Sequence, residues 1–244
     1  MTATQIGLVA VSPIIGSFLA AAAHRLPDDV RGLLVGRSRC DHCRQPLALR
    51  DLVPVLSWVA LRGRCRMCGG RIDPTHTMIE LAAIGIALAA LAGDAASMPG
   101  TCLLGWGLLL LGAIDRRTGL LPDMLTLPLA LAGLLAALFE PGGPPLPDRA
   151  VGAAVGYLLF AGLALAYRRL RGRDGLGLGD AKLLAAGGAW LGWQALPWVV
   201  LVGAGAALAA VLVSTRGQLS RHTAIAFGPW LALGIWLMRL IGPA

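Results

Sequence analysis

The chain has 244 residues, of which 57% are hydrophobic and only 14% charged, and its formal net charge is +8. An ordinary soluble domain carries roughly 45 to 50% apolar and about 25% charged residues, and its apolar positions recur at helical or alternating spacing instead of filling whole stretches. Composition therefore excludes a soluble domain. The basic residues lie between apolar runs and not on one domain with stacking aromatics, which excludes a nucleic-acid surface and leaves membrane lipid as the partner of the positive charge.

A crossing takes roughly 20 mainly apolar residues. Eight runs qualify in chain order: 5–23, 77–93, 100–114, 120–139, 150–167, 181–195, 196–213 and 223–242. The third and sixth are short, and the sixth and seventh are divided only around Pro197, so a kink there would reduce the count to seven. No basic residue precedes the first run, and HRLPDD follows it where small residues would mark a cut, so it is expected to be a span and not a cleaved leader. With the amino terminus outside, all of the 21 basic residues except Arg149 and Arg239 fall on the inner side, among them Arg116, Arg117, Lys182, Arg216 and Arg221.

The one sizeable polar segment, residues 24–76, separates the first two spans. Within it Cys40 and Cys43, then Cys65 and Cys68, form two CxxC pairs with 21 residues between them. That gap is slightly longer than the usual zinc-ribbon spacing of about 15 to 20. A segment poor in large apolar groups needs such a staple. The reducing cytoplasm disfavours disulfides. Arg44 and Gly69 stand where a c-type haem site needs His, and a thioredoxin-like site would need a βαβ pattern that is absent. Structural zinc is the expectation, with iron in the same cage as the alternative. Cys102 reads as a small buried residue, and His42 as a surface residue.

Two acids mark span boundaries on the inner face. Asp115 closes the third run in AIDRRTGLLPD, and Asp180 opens the sixth in GLGLGDAKLL. An ionisable group at that depth is costly unless it serves a cavity or finds a partner. Asp180 could cap a helix starting at Ala181, Asp115 could pair with Arg116 or Arg117, and Asp123 could cap a helix after Pro122. The spacing leaves both readings open.

Taken in order, GSFLAAAAHRLP, the two CxxC pairs around PVLSWVALRGRC, MIEL, IDRRTGLLPD, GLGLGDAKLLAAGGAWLG and FGP make the chain resemble the type IV prepilin peptidases, aspartic proteases of the GxGD class. The resemblance runs through nearly the whole chain. Ala20, Ala181 and Ala226 depart from the family's usual Asn, Phe and Pro, and none of these positions is an acid or a thiol. It implies an all-α polytopic membrane protein of about eight transmembrane helices, with a small zinc-ribbon-like cytoplasmic domain between the first two. The domains are then a first helix (1–23), the cysteine-rich zinc-binding segment (24–76) and a transmembrane aspartic peptidase (77–244). It implies Asp115 and Asp180 as the catalytic pair and Cys40, Cys43, Cys65 and Cys68 as the zinc ligands.

The implied substrate is a prepilin or pseudopilin precursor of a type IV pilus or type II secretion system, cut after glycine at the cytoplasmic face of the bacterial inner membrane. Many members also methylate the new amino terminus with S-adenosylmethionine, although no methyl-donor loop is visible in this sequence. Two acids are needed because neighbouring carboxyls do not both ionise readily: one, as the anion, draws a proton from water while the other, neutral, polarises the carbonyl. The glycines at 175, 177 and 179 would let a substrate backbone approach Asp180. Two alternatives remain, a transporter with intramembrane aspartates and another GxGD intramembrane protease. Ile114, where the latter carries tyrosine, disfavours that class.

Overall fold

In lipid the backbone has no water to bond, so apolar segments satisfy their own amides and carbonyls as helices. The computed structural model describes residues 1–140, 142–172, 177–214 and 226–242, and among them every extended element is helical. Gly175, Arg216, Arg221, Ala244 and residues 223–225 of the expected last span lie outside the described residues. The helices are α1 (Ala3–Arg25), α2 (Val30–Val35), α3 (Leu56–Ala60), α4 (Pro74–Ala89), α5 (Met98–Thr118), α6 (Asp123–Ala136), α7 (Leu146–Arg171), α8 (Leu178–Leu191), α9 (Leu196–Ser214) and α10 (Gly228–Ile241). Among the described residues, pairing between extended segments is limited to two isolated antiparallel bridges, Arg39 with Pro46 and Arg64 with Arg71.

Among the described residues five helical segments are long and apolar enough to cross a membrane: Ala3–Arg25, Pro74–Ala92, Met98–Thr118, Leu146–Arg171 and Trp193–Ser214. The protein is thus a multi-pass membrane protein of all-α class. The other three expected spans are the 14-residue helices α6, α8 and α10, each about 21 Å long. Around Pro197 the chain makes two helices and not one kinked rod: α8 stops at Gly192, whose φ of 77° no helix can continue, and a short 3-10 turn, Trp193–Ala195, leads into α9.

The chain divides into two compact units, Met1–Leu110 and Leu111–Ala244. In the first, α1 begins with a reciprocal cap in which the Gln5 amide donates to Thr2 Oγ1 and the Thr2 amide to Gln5 Oε1. It crosses α4 at Gly16, where a Cβ would lie 2.7 Å from the Cα of Glu80. Trp106 anchors α5 to α4 by donating from Nε1 to the Ala83 carbonyl over 3.0 Å.

The second unit is held by small-residue crossings, the contact that replaces hydrophobic driving force between helices in lipid. A Cβ on Gly152 of α7 would stand 2.6 Å from the carbonyl oxygen of Gly188 of α8, so the two backbones touch. Gly133 of α6 receives the Trp190 ring of α8 in the same way, and the Trp190 indole donates to the Leu129 carbonyl over 2.9 Å. Arg149 is 0% exposed. Its guanidinium donates to the carbonyls of Gly133 and Pro144 and to Glu140, whose other carboxylate oxygen accepts from Arg239. The two basic residues expected on the outer side of the membrane are therefore the partners of one buried acid.

Candidate active site and metal centre

Asp115 sits in the last turn of α5 and Asp180 in the first turn of α8, 6% and 9% exposed. Helix α8 starts at Leu178 with Gly177 as its N-cap, which places Asp180 inside the helix and not at the cap expected from a start at Ala181. No side chain caps α8 at Gly177, and the Asp180 amide bonds the Gly177 carbonyl over 3.1 Å. Asp115 is buried while Arg116 and Arg117 are exposed. Its Oδ2 is enclosed and has no hydrogen-bond partner.

The loop after α5 explains how the two acids come to share a neighbourhood. Gly119 turns the chain at φ 68°, a conformation glycine adopts without strain. Leu121 then packs inward, where a Cβ on Gly179 would lie 3.0 Å from its Cβ and a Cβ on Gly228 would lie 3.3 Å from its Cδ1. The same Cβ on Gly228 would stand 2.6 Å from Asp115 Oδ2, so the first residue of α10 lies directly on that carboxylate. Asp180 is within electrostatic reach of Asp115. Gly179 makes room for Leu121, whereas a Cβ on Gly177 would meet nothing closer than Asp180 Oδ2 at 3.6 Å.

The expected cap at Asp123 is an ion pair. Pro122 is the N-cap of α6, no side chain caps it, and Asp123 Oδ1 accepts from Lys182 Nζ over 2.5 Å. Lys182, two residues beyond Asp180, thus has its counter-ion in the first residue of α6.

In the first unit the two CxxC segments fold alike. Cys40 N donates to the Gln45 carbonyl and Cys65 N to that of Gly70; the residue after each second cysteine, Arg44 or Gly69, has positive φ, 57° and 69°. The four sulfurs lie within 4.8 Å of one another and can hold a metal ion. Amides of Cys68 and Met67 pull the Cys65 thiol down to about 7. At Cys43 the Gln45 amide favours the thiolate, but desolvation and the thiols of Cys68, Cys40 and Cys65 outweigh it and carry the group up to about 11. A divalent cation relieves the mutual repulsion of four such thiolates. His42 is exposed and bonded to the Arg71 carbonyl at 3.0 Å, and Cys102 is fully buried.

Residues 10–93 match the family described as Bacterial Peptidase A24 N-terminal domain, and residues 102–213 match the Type IV leader peptidase family. A prepilin leader peptidase/N-methyltransferase of Dickeya chrysanthemi is 43% identical, covering 93% of this chain and 89% of its own. The chain belongs to the type IV leader peptidase family. Proteins of the same name from Burkholderia pseudomallei strain 1026b and Aeromonas hydrophila are 43% and 40% identical, over 91% and 95% of this chain and 80% and 88% of theirs. No solved structure matches the chain significantly.

Three residues of the quoted motifs IDRRTGLLPD, FGP and MIEL, given no role from the sequence, are placed by the structure. Leu121 and Gly228 frame Asp115, and Glu80 is buried in the first unit, 8% exposed, accepting from the Val55 amide over 2.8 Å. Glu80 carried a signal in sequence, an acid within an apolar run. Leu121 carried none, because one more leucine among leucines is silent.

Proposed function

We propose that this protein is a membrane-embedded aspartic endopeptidase that removes the leader from type IV prepilin or pseudopilin precursors at the cytoplasmic face of the inner membrane. The observation that carries the reading is the pair of buried acids, Asp115 and Asp180, with no cation bonded to Asp115 Oδ2 and Gly228 set directly against it. In that setting one carboxyl is ionised and draws a proton from water, and the other, protonated, donates to the peptide carbonyl; the pair is titrated as a unit. Gly228 and Leu121 fix the Asp115 carboxylate, and Lys182 with Asp123 ties the start of α8 to the start of α6.

The division of labour follows the sequence: a first helix (1–23), a metal-clamped cytoplasmic segment (24–76) and the peptidase proper (77–244), crossing the bilayer eight times. Cys40, Cys43, Cys65 and Cys68 hold a structural zinc. Tetrahedral zinc at about 2.3 Å from each sulfur spaces the sulfurs about 3.8 Å apart, and Cys40 Sγ and Cys68 Sγ are 3.8 Å apart. The relatives' names also carry an N-methyltransferase activity, which we extend to this chain with S-adenosylmethionine as donor. Lipid is its solvent and no nucleic acid is a partner.

Co-expression with a prepilin tests the peptidase reading: the leader disappears with the intact chain and persists with Asp115→Asn or Asp180→Asn, both still inserted. Normal processing by either variant rejects the aspartic mechanism. Reporter fusions after Gly70 and Gly172 are expected to behave as cytoplasmic, and a periplasmic reporter at Gly172 would remove Asp180 from the side of the cut.

A further inference from the structure

The first unit contains a cavity of about 350 Å3 that the peptidase chemistry does not use. That volume falls in the range of sites for small molecules, which is about 300 to 1,000 Å3. Its walls come from α1, from the two cysteine knuckles through Cys40 and Cys65, from α3 through Trp58 and from α4 through His76 and Glu80. Two features mark it as a built site. Glu80 places a buried carboxylate in it, and Trp58 Nε1, an obligate donor, is enclosed without a hydrogen-bond partner. Leaving such a donor unsatisfied costs the fold its desolvation, so a ligand acceptor at that nitrogen would recover what the fold gives up.

We infer that this cavity binds the methyl donor S-adenosylmethionine, with Glu80 and Trp58 as its principal contacts. The inference rests on the methyltransferase part of the proposed function and gives it a place in the chain. The charges of the walls decide the ligand class. Arg39 and Arg71 stand with Asp41 and Glu80, while Arg66 is already paired with Asp51 over 2.8 Å and Arg25 with the carbonyl of Gly32 over 2.6 Å. A basic leader peptide would face four arginines here. The donor instead carries one carboxylate, one ammonium, one sulfonium and a purine, a set that needs cations, anions and an aromatic face together.

Glu80 supplies the anion that balances a sulfonium in a poorly hydrated space. The Trp58 ring supplies a cation–π face and its N–H a hydrogen bond to a ribose or purine acceptor. Bound there, the donor supplies a methyl carbon that leaves sulfur as a neutral thioether when the lone pair of a neutral amine forms the new carbon–nitrogen bond, the amine's earlier ammonium proton having passed to water. Glu80 Oε2 also accepts from the Val55 amide, and Val55 is held at φ 61°, so one acid both shapes the α3 end of the cavity and charges its interior.

Equilibrium dialysis of the purified full-length protein against tritiated S-adenosylmethionine tests this, with metal content and melting temperature followed in each variant. Wild type is expected to bind, Glu80→Gln to weaken binding by about tenfold or more, and Trp58→Phe, which keeps the ring and removes only the N–H, by about threefold to tenfold. Trp58→Phe decides the matter if Glu80→Gln lowers the melting temperature or loses metal. Wild-type affinity in Trp58→Phe, or in a folded Glu80→Gln, overturns the location while leaving a methyltransferase intact. A wild-type protein that cleaves prepilin but binds no donor overturns the location and the methyltransferase reading together.

Discussion

The second unit buries acids in two ways. Glu140 is surrounded by donors: Arg149 reaches one carboxylate oxygen at 3.2 Å and Arg239 the other at 2.7 Å, and the remaining guanidinium bonds of Arg149 go to backbone carbonyls. Asp115 and Asp180 are buried to the same degree, yet Asp115 Oδ2 has no hydrogen-bond partner and lies against the glycine that starts α10, and the nearby charge is a second carboxylate. A charge compensated on all sides contributes to structure. One held without a cation is costly to the fold and available for proton transfer. Burial alone therefore does not distinguish a structural acid from a reactive one; the partners do.

The sharpest way to break that comparison is to neutralise each acid in turn. Asp115→Asn and Asp180→Asn are expected to lower cleavage by at least about a thousandfold, measured as leader removal per folded molecule, and to leave the melting temperature unchanged or raised, since an uncompensated carboxylate is removed. Glu140→Gln is expected to do the reverse, costing on the order of 3 to 5 kcal/mol by leaving two buried guanidiniums uncompensated, read as a lower melting temperature in detergent with cleavage per folded molecule retained. A stable Glu140→Gln protein, or a destabilised Asp180→Asn one, would abolish the distinction.

Gly228→Ala is the next largest effect. Its Cβ would press on the Asp115 carboxylate at 2.6 Å and on Leu121, so kcat is expected to fall about tenfold to a hundredfold while substrate affinity and metal content hold. Unchanged kcat would mean that the Asp115 carboxylate moves aside at no cost. The metal clamp gives a comparison across units: Cys40→Ser with Cys43→Ser is expected to remove about one zinc per chain by elemental analysis, and metal that remains would reject the four-sulfur assignment. Smallest is Asp123→Asn. Asp123 and Lys182 form a largely exposed pair, which contributes at most about 1 kcal/mol, so a change in cleavage of no more than about fivefold is expected. An Asp123→Asn variant as inactive as Asp180→Asn would reopen the choice of partner for Asp180.

Most helices were legible because apolar runs in lipid have one backbone solution, and α1, α5, α7 and α9 cover the runs expected for them within a few residues. The cysteine pairs and both aspartates were legible because each breaks its surroundings, thiols in a polar loop or a charge at the end of an apolar run. The start of α8 was not. Three alternating glycines resemble an extended loop up to Asp180, but helix propensity yields to packing at Leu178 and Gly179, where Leu121 occupies the space a side chain would take. The Glu140 cluster was illegible for another reason: Arg239 lies 99 residues from its acid, and pattern along a chain carries no information about which distant charges meet. The basic-residue count used Arg149 only for the side of the membrane and carried no information about its burial beside Glu140.

The backbone contact between Gly152 and Gly188 has a mechanical consequence. Asp180 and Gly188 ride on one rigid helix eight residues apart, about 12 Å along its axis. Helix α8 is thus a lever with its fulcrum at the glycine contact and its acid at the far end. A methyl group added at either glycine would tilt the lever, and a tilt of only about 5° would swing Asp180 through roughly 1 Å, a misplacement that can cost a hundredfold in rate. The tolerance of the chemistry is set two helical turns away from it, by two residues that have no side chain at all.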